Sequence, residues 1–208
     1  MTTSRIVEAT TVVALFLGYL ILWRIKRARD IRMNGIDPEV LSRASTPVQA
    51  HFARLVRFMT ALVVTIIVLH TFAPEAWPPL TRLGALDSRL FDLIGCALGA
   101  AGLMLCRLAQ ATMGSSWRVG IDSERPSVLV TGGVYRWIRN PTYLGLHLAS
   151  LGLWLIWPTA LVAGYAVLFF VVMDIQVRCE EEFLLAHHGD DYRGYLSRTR
   201  RYLPWFTG

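Results

Sequence analysis

Apolar segments long enough to cross a membrane recur along the chain, and short polar stretches separate them. An α-helix rises about 1.5 Å per residue, so about 20 apolar residues cross a hydrocarbon core of about 30 Å. The predicted helical spans cover residues 6–23, 58–73, 90–113, 142–157 and 159–179. Pro158 separates the last two, because proline cannot continue a helix. The pattern predicts an all-α integral membrane protein with five transmembrane helices.

Composition indicates that lipid, rather than water, surrounds these helices. Of the 208 residues, 54% are hydrophobic and only 17% are charged, whereas a typical soluble domain has about 25% charged residues. A soluble protein of this size needs more polar residues to cover its surface. We therefore expect a multi-pass protein in contact with membrane lipids.

The distribution of basic residues predicts the orientation in the membrane. Arg5, Arg82 and Arg89 fall on one side of the predicted spans, and the other eighteen basic residues fall on the opposite side or at its boundary. Cytoplasmic loops of membrane proteins carry an excess of Lys and Arg. We therefore expect the N-terminus outside, the C-terminus inside, a basic cytoplasmic loop at residues 24–57, and a bacterial inner membrane as the location. This topology accounts for the net charge of +6, so the charge does not indicate a nucleic-acid partner.

The cysteines and histidines do not form a metal-binding pattern. The three cysteines lie apart in apolar segments without a CxxC pair, and the five histidines show no ligand spacing. The sequence therefore predicts no metal site.

Small residues in the third span indicate a close helix contact. Gly95 and Gly99 have the GxxxG spacing, and Gly102 follows them. Such residues let two helices approach closely in lipid. The contact lies either between two copies of the chain or between two helices of one chain.

One stretch, residues 129–145, is neither a plausible span nor an ordinary loop. Gly132 and Gly133 allow the backbone to approach a ligand closely. Pro141 can start the fourth helix, whose N-terminal amide groups then suit an anionic group. On composition alone, a binding site and a re-entry loop whose arginines meet lipid phosphates are equally compatible with the stretch.

Three carboxylates, Glu180 to Glu182, follow the last predicted span. They lie at the cytoplasmic end of the predicted helical hairpin 142–179, on the same side as the stretch 129–145. Because both ends of a hairpin meet on one side of the membrane, the two pieces can form one site. The chain is thus divided into residues 1–113, with three spans, and residues 114–208, with a cytoplasmic-side cofactor pocket, the hairpin and a cytoplasmic C-terminal helix.

Four motifs occur in order in this second region: GVYRWIRNPTYLG (133–145), EEEFL (180–184), HGDDYRGY (188–195) and RRYLP (200–204). Together they resemble the isoprenylcysteine carboxyl methyltransferase family. Phospholipid methyltransferases and some sterol reductases share parts of the pattern. The resemblance covers residues 117–204. It implies a helical membrane bundle that transfers a methyl group from S-adenosylmethionine to a lipophilic or lipidated substrate, with a carboxylate as a possible acceptor.

The resemblance also implies which residues form the site. The implied cofactor-binding residues are Ser127, Val128, Leu129, Val130, Tyr135, Asn140, Pro141, Thr142, Tyr143 and Glu180. The implied catalytic residues are Arg139, Tyr143 and Glu181, and the implied substrate-binding residues are Gln176, Arg178 and Arg201.

Two positions depart from the family pattern. Asn140 stands where the family usually has histidine, and an amide can also form hydrogen bonds. Gln176 stands where the prenylcysteine enzymes have an arginine that meets the substrate carboxylate, although Arg178 is close in sequence. In-line methyl transfer to a carboxylate requires positioning more than a base. For other acceptors, His147 and Asp174 are candidate bases beside Glu181, and a structural role is also compatible with each.

Two other functions agree with parts of the sequence. An NADPH-dependent reductase of a sterol-like lipid would share the region of Arg139, Pro141 and Tyr143. A membrane scaffold or lipid-binding protein would need only the GxxxG spacing and the arginine-rich loops.

Overall fold

The computed structural model describes residues 3–43, 46–73, 77–122 and 128–202. Ser127, one of the implied cofactor-binding residues, therefore lies outside the described residues. The described part contains five α-helices and no β-strand. The helices are α1 (Thr3–Asn34), α2 (Pro47–Phe72), α3 (Arg89–Met113), α4 (Pro141–Ile156) and α5 (Ala160–Arg198). The predicted all-helical class is confirmed.

Four helices are long and apolar enough to cross a membrane. They are Ser4–Asn34, Pro47–Phe72, Arg89–Ser116 and Ala160–Arg198. The fifth helix, α4, is apolar but has only 16 residues, which corresponds to about 24 Å. The prediction of an integral, multi-pass membrane protein is therefore confirmed, while the fifth crossing stays a prediction.

The structure differs from the predicted loop at residues 24–57. Helix α1 continues to Asn34, and α2 already begins after its N-cap, Thr46. Arginine and lysine favour helices, and Lys26 pairs with Asp30 one turn further along. Residues 24–34 therefore extend α1 beyond its apolar span, and residues 47–57 form the first turns of α2.

Glycines hold α3 and α4 against each other. A Cβ atom built on Gly95 would lie 2.6 Å from the carbonyl oxygen of Gly152, and one built on Gly145 would lie 2.6 Å from that of Gly102. These distances are too short for any larger residue unless the backbones separate. The GxxxG spacing therefore serves packing within one chain, which was one of the two alternatives.

The five helices form a ring. Helix α3 packs on α4 and α1, α4 packs on α5, α5 packs on α2, and α2 packs on α1. A core inside this ring contains fully buried side chains from α2, α4 and α5, including Ile66, Ile156 and Val162. A ring of helices can enclose a cavity, and the candidate functional site lines such a cavity.

A cluster of charges closes the ring at the end where α4 meets α5. Arg82 contacts Glu8 at 2.6 Å, Asp87 at 2.7 Å and Asp92 at 3.6 Å, and its Nη2 donates to the carbonyl oxygen of Ile156 at 3.3 Å. We call Glu8, Arg82, Asp87 and Asp92 the Arg82 cluster. It ties together the ends of α1, α3 and α4.

Helix α5 continues far beyond its apolar part and then bends. Its 39 residues include Gly189, whose φ of 54° and ψ of −121° break the helix geometry. A positive φ favours glycine. After the bend, Tyr192 and Tyr195 are buried, and Ile138 forms a bridge with Arg200. The end of the described chain thus returns to the start of α4. The predicted C-terminal helix is a continuation of α5.

Candidate functional site

Two backbone hydrogen bonds fix the start of α4 to the end of the described chain. The amide of Arg139 donates to the carbonyl oxygen of Arg200 at 2.8 Å, and that of Asn140 donates to the carbonyl oxygen of Arg201 at 3.2 Å. Pro141 then occupies the first turn of α4, where proline is favoured because no amide hydrogen is needed. Residues 139–141 are therefore held in one conformation by a distant segment.

Glu181 is the centre of a buried polar cluster in this place. Its Oε1 accepts from Arg139 Nε at 3.2 Å and from Asn140 Nδ2 at 2.9 Å, and its Oε2 accepts from Arg201 Nη2 at 2.8 Å. The side chains of Arg139 and Glu181 are only 12% and 11% exposed. The bond to Glu181 raises the pKa of the Arg201 guanidinium. We call Arg139, Asn140, Glu181 and Arg201 the Glu181 cluster, and both oxygens of its carboxylate are engaged.

The neighbouring Glu180 is bonded differently. The hydroxyl of Tyr143 donates to Glu180 Oε1 at 2.6 Å, and Gln176 Nε2 donates to the same oxygen at 3.0 Å. Because both bonds end at Oε1, the second oxygen has no hydrogen-bond partner among the residues that the structure describes. The carboxylate can therefore bind a hydroxyl or ammonium group.

A cavity of about 380 Å³ begins beside Glu180. Its polar end is lined by residues of the connection before α4, by the first turn of α4 and by side chains of α5. These residues are Val128, Leu129, Val130, Tyr135, Arg139, Asn140, Pro141, Thr142, Tyr143, Glu180, Tyr192 and Tyr195. This end combines one carboxylate, one paired guanidinium and several phenol groups.

The same cavity continues between the apolar faces of the helices. Its other end is lined mainly by apolar side chains of α1, α2, α4 and α5. These include Val12, Phe16, Met59, Val63, Leu153, Tyr165 and Phe169. Glu180 and Tyr165 are fifteen residues apart on α5, or about 22 Å along the helix axis. One cavity therefore joins a polar end to an apolar end at membrane depth.

Tyr135 is held rigidly at the polar end. The hydroxyl of Tyr195 donates to the backbone carbonyl of Tyr135 at 2.7 Å. The preceding Gly133 has a φ of 55°, and a Cβ atom there would lie 2.8 Å from Thr112. Burial raises the pKa of the Tyr135 phenol. The phenol therefore stays protonated and remains a hydrogen-bond donor.

The structure brings most of the predicted site residues together. Every implied cofactor-binding residue in the described part of the chain lines the cavity, as do Arg139 and Tyr143 of the implied catalytic set. Glu181 lies behind this wall and pairs with Arg139. Their roles in binding and catalysis remain predictions.

The three implied substrate-binding residues do not line the cavity. Gln176 is 1% exposed and contacts Glu180 from behind, and Arg201 contacts Glu181. The side chain of Arg178 is 62% exposed and pairs with Asp174 at 2.7 Å. His147, a candidate base, packs its ring against Phe170 at 4.7 Å between centroids and does not line the cavity either.

Sequence reasoning missed Gln49. This residue of α2 is 4% exposed and bonds to Gln176 at 3.1 Å. It precedes the region that carries the family motifs, so the resemblance gave no information about it. The only signal is a lone amide in a segment of otherwise basic or apolar residues.

Comparison with known proteins shows that this chain is similar to membrane methyltransferases. The sequence model of the phospholipid methyltransferase family matches residues 91–191. The protein-S-isoprenylcysteine O-methyltransferase of Saccharomyces cerevisiae is 31% identical over 125 residues, which cover 58% of this chain and 52% of the yeast protein. The Tribolium castaneum and Homo sapiens proteins of the same name are 30% and 29% identical over 118 and 136 residues. Those matches cover 55% and 64% of this chain, and 42% and 46% of the relatives. The chain thus spans about half the length of these relatives.

The fold is also similar to a solved structure. The eukaryotic intramembrane Ras methyltransferase, an isoprenylcysteine carboxyl methyltransferase, superimposes with a TM-score of 0.53 at 19% identity. The match covers 94% of this chain and 68% of the other. Residues 91–191 therefore match the sequence pattern of the phospholipid methyltransferase family, within a helical membrane fold like that of isoprenylcysteine carboxyl methyltransferase.

Proposed function

We propose that this protein is an S-adenosylmethionine-dependent methyltransferase that acts on a lipophilic substrate in the membrane. One observation carries the proposal: a single cavity joins a polar end, lined by the residues that the family resemblance implied, to an apolar end between membrane helices. A polar cofactor and an apolar acceptor can therefore meet inside one enclosure. The names and sequences of the relatives support the same reaction.

The residues at the polar end suit this cofactor. When bound, S-adenosylmethionine supplies a methyl group already activated by a sulfonium centre. The free oxygen of Glu180 can accept from the hydroxyl or ammonium groups of such a molecule. Tyr135 and Tyr143 add aromatic surface and hydroxyl groups, and a cationic centre is favourable over aromatic ring faces. Val128 to Val130 complete an apolar wall.

The chain itself contributes positioning and exclusion of water. The Glu181 cluster holds the start of α4 and the returning segment together, so the polar end keeps its shape. A carboxylate acceptor attacks without losing a proton, and correct placement in a desolvated site supplies much of the rate. Arg139 faces this cavity as a cation partly neutralised by Glu181, and we propose that it orients the acceptor.

The acceptor is proposed as a lipophilic or lipidated molecule with a carboxylate as a possible methyl acceptor. The relatives are named for a prenylated cysteine. In this chain, however, Gln176 is neutral and Arg178 faces away from the cavity. A carboxylate would therefore depend on Arg139 or on Arg118, which also lines the cavity.

We further propose five crossings, an outside N-terminus and a cytoplasmic C-terminus in a bacterial inner membrane. The short helix α4 and the helix α5 form a hairpin. Asn140 at the start of α4 bonds to Glu181 on α5, so the two ends of the hairpin meet at the Glu181 cluster. The hairpin therefore leaves the membrane on the side where it entered. Reporter fusions after residues 35 and 122 are expected to be cytoplasmic, and a fusion after residue 83 is expected to be external.

Calorimetry on the purified protein in detergent tests the cofactor. We expect S-adenosylhomocysteine to bind, and transfer of radiolabelled methyl into the organic extract of membranes to depend on the protein. Absence of binding at millimolar ligand would refute the proposal. Tight binding of NADPH instead would favour a reductase, and unchanged ligand binding in Tyr143→Ala and Glu180→Ala would favour a scaffold.

A further inference from the structure

A buried chain of hydrogen bonds connects the N-terminal half of the protein to Glu180. The backbone amide of Ile121 donates to Gln49 Oε1 at 3.2 Å. Gln49 Nε2 donates to Gln176 Oε1 at 3.1 Å, and Gln176 Nε2 donates to Glu180 Oε1 at 3.0 Å. Gln49 and Gln176 are 4% and 1% exposed. We call these four residues the amide relay.

The two ends of the amide relay determine its direction. A backbone amide only donates, and an ionised carboxylate only accepts. Gln49 must therefore present its oxygen to Ile121 and its NH₂ group to Gln176. Gln176 Nε2 also lies 3.4 Å from Gln49 Oε1, but its bond to Glu180 is shorter. Each amide has one orientation that satisfies both of its neighbours.

This direction matters because the relay ends at one oxygen of Glu180. The same Oε1 accepts from Tyr143, so two donors on the protein fix the carboxylate by a single oxygen. Oε2 has no hydrogen-bond partner among the described residues, and Glu180 lines the cavity. If Gln176 rotated, its own oxygen would face Glu180 and repel it.

We propose that Gln49 is a positioning residue for the ligand-binding carboxylate of Glu180. The inference rests on the proposed function for the identity of the ligand, and it assigns a residue outside the family motifs to the cofactor end of the cavity. Gln49 sets the orientation of Gln176, and Gln176 in turn presents Glu180.

The position of Gln49 also connects the two ends of the cavity. Further along α2, Met59 and Val63 line the apolar end. On the other side, Ile121 follows Val119 and Gly120, which line the cavity as well. Helix α2, which lines the apolar end, is therefore connected through Gln176 to the carboxylate at the polar end.

Binding of S-adenosylhomocysteine to two variants tests the proposal. Gln49→Met keeps the side-chain length but removes both bonds, and Gln49→Glu forces Gln176 to rotate because a carboxylate cannot donate. We expect the affinity to fall about tenfold in the first variant, because Gln176 loses the neutral partner that fixes its orientation toward Glu180. We expect a larger fall in the second, because the rotated Gln176 presents its oxygen to Glu180. Glu39→Gln is the matched control, since Glu39 lies in the same N-terminal region and its carboxylate accepts from Ser42 rather than from the relay, and we expect no change.

A double substitution separates positioning from general stability. In Gln49→Glu with Glu180→Gln, the two side-chain bonds of the relay can reverse while Ile121 still donates to residue 49: Gln176 donates to residue 49, and the new amide at position 180 donates to Gln176. We measure thermal unfolding of the ligand-free protein in detergent. We expect the melting temperature of the double variant to be higher than the value obtained by adding the decreases of the two single variants. Ligand affinity is expected to stay low, because the accepting carboxylate is gone.

The outcomes distinguish this inference from the proposed function. If the unsubstituted protein binds S-adenosylhomocysteine and both Gln49 variants bind it as tightly as the control, the inference is overturned and the proposed function stands. If the unsubstituted protein does not bind it, the proposed function fails. In that case thermal unfolding of the Gln49→Glu and Glu180→Gln variants tests the connection between Gln49 and Glu180. If the two effects are simply additive, the inference is overturned.

Discussion

The two ends of α4 carry polar clusters of opposite construction. At the start of the helix, one carboxylate, Glu181, accepts from the side chains of Arg139, Asn140 and Arg201. At the end of the helix, one guanidinium, Arg82, contacts three carboxylates. Both clusters join segments that are distant in sequence, but the central Glu181 is only 11% exposed, whereas Arg82 is 24% exposed and its partner Asp87 is 49% exposed.

The difference lies in what the clusters leave unbonded. In the Arg82 cluster, Glu8 uses both oxygens, one for Ser4 and one for Arg82. Beside the Glu181 cluster, Glu180 keeps one oxygen free and lines a cavity. We therefore expect the Arg82 cluster to stabilise the fold, and we expect Glu180 to contribute to ligand binding. Substitutions at the two ends should therefore have separable effects.

The largest expected effect comes from removing the centre of the Glu181 cluster. Glu181→Ala leaves Arg139 buried without its partner, which costs about 4 kcal/mol of folding free energy. The melting temperature should fall by about 10 °C, and affinity for S-adenosylhomocysteine should fall with it. Thermal unfolding and calorimetry measure the two effects. A stable variant with normal affinity would show that the cluster supports neither the fold nor the site.

Separating α3 from α4 should affect both ends at once. Gly102→Ala places a Cβ atom against the backbone of Gly145, so we expect a loss of about 3 kcal/mol. Gly164→Ala is the control, because nothing lies within 4 Å of a Cβ atom there. Its effect should be within about 1 kcal/mol and stabilising, since alanine favours helices. Equal melting temperatures for the two variants would contradict the close packing of α3 against α4.

At the binding end, Glu180→Gln should reduce affinity rather than stability. The neutral amide loses a charge-assisted bond to the ligand, so affinity for S-adenosylhomocysteine should fall about 30-fold, or about 2 kcal/mol. Glu182→Gln is the control for removal of one charge from the same run of glutamates and should bind normally. Similar losses in both variants would point to a general electrostatic effect instead of a specific contact.

Substitution in the Arg82 cluster should reduce stability rather than affinity. Arg82→Ala leaves three carboxylates near one another and should cost about 2 kcal/mol, less than a fully buried pair because Arg82 is 24% exposed. Affinity for S-adenosylhomocysteine should change less than about twofold. A large loss of affinity without loss of stability would mean that the two ends are not separable.

The smallest effect is expected for Arg178→Ala. Its pair with Asp174 is at the surface, and such pairs contribute less than about 0.5 kcal/mol. Stability and cofactor affinity should therefore be unchanged. Methyl-acceptor activity in membranes provides the decisive measurement: a marked rise in KM for the acceptor would restore Arg178 as a substrate-binding residue.

The sequence predicted the helical class and the apolar hairpin because lipid imposes long apolar segments that are easy to identify. The family resemblance also named the implied cofactor residues, and those in the described part of the chain line one cavity. It did not predict the length of α1, because the arginines after residue 23 are compatible with both a loop and an extended helix. The helix propensity of arginine and lysine, together with the ion pair between Lys26 and Asp30, favours the helix.

Contacts between distant segments were the hardest to predict. Arg178 is only two residues from Gln176, yet helix geometry separates neighbouring side chains by about 100° per residue, so the two point in different directions. Gln49 and Gln176 are 127 positions apart, and no local pattern connects them. The bend at Gly189 likewise decides that Arg201 reaches Glu181, and a single glycine in a polar segment does not reveal that return.

The contact between residues 199–201 and the start of α4 also determines the order in which parts of the protein are completed during translation. Arg139 donates through Nη1 to the carbonyl oxygen of Thr199, 60 positions later. At about 5–20 residues per second, translation takes roughly 3–12 s to supply that partner. During this interval α4 can already be inserted while Arg139 and Asn140 lack the segment that fixes them. The apolar helices are thus made first, and the polar end of the cavity is complete only after the last described residues have left the ribosome.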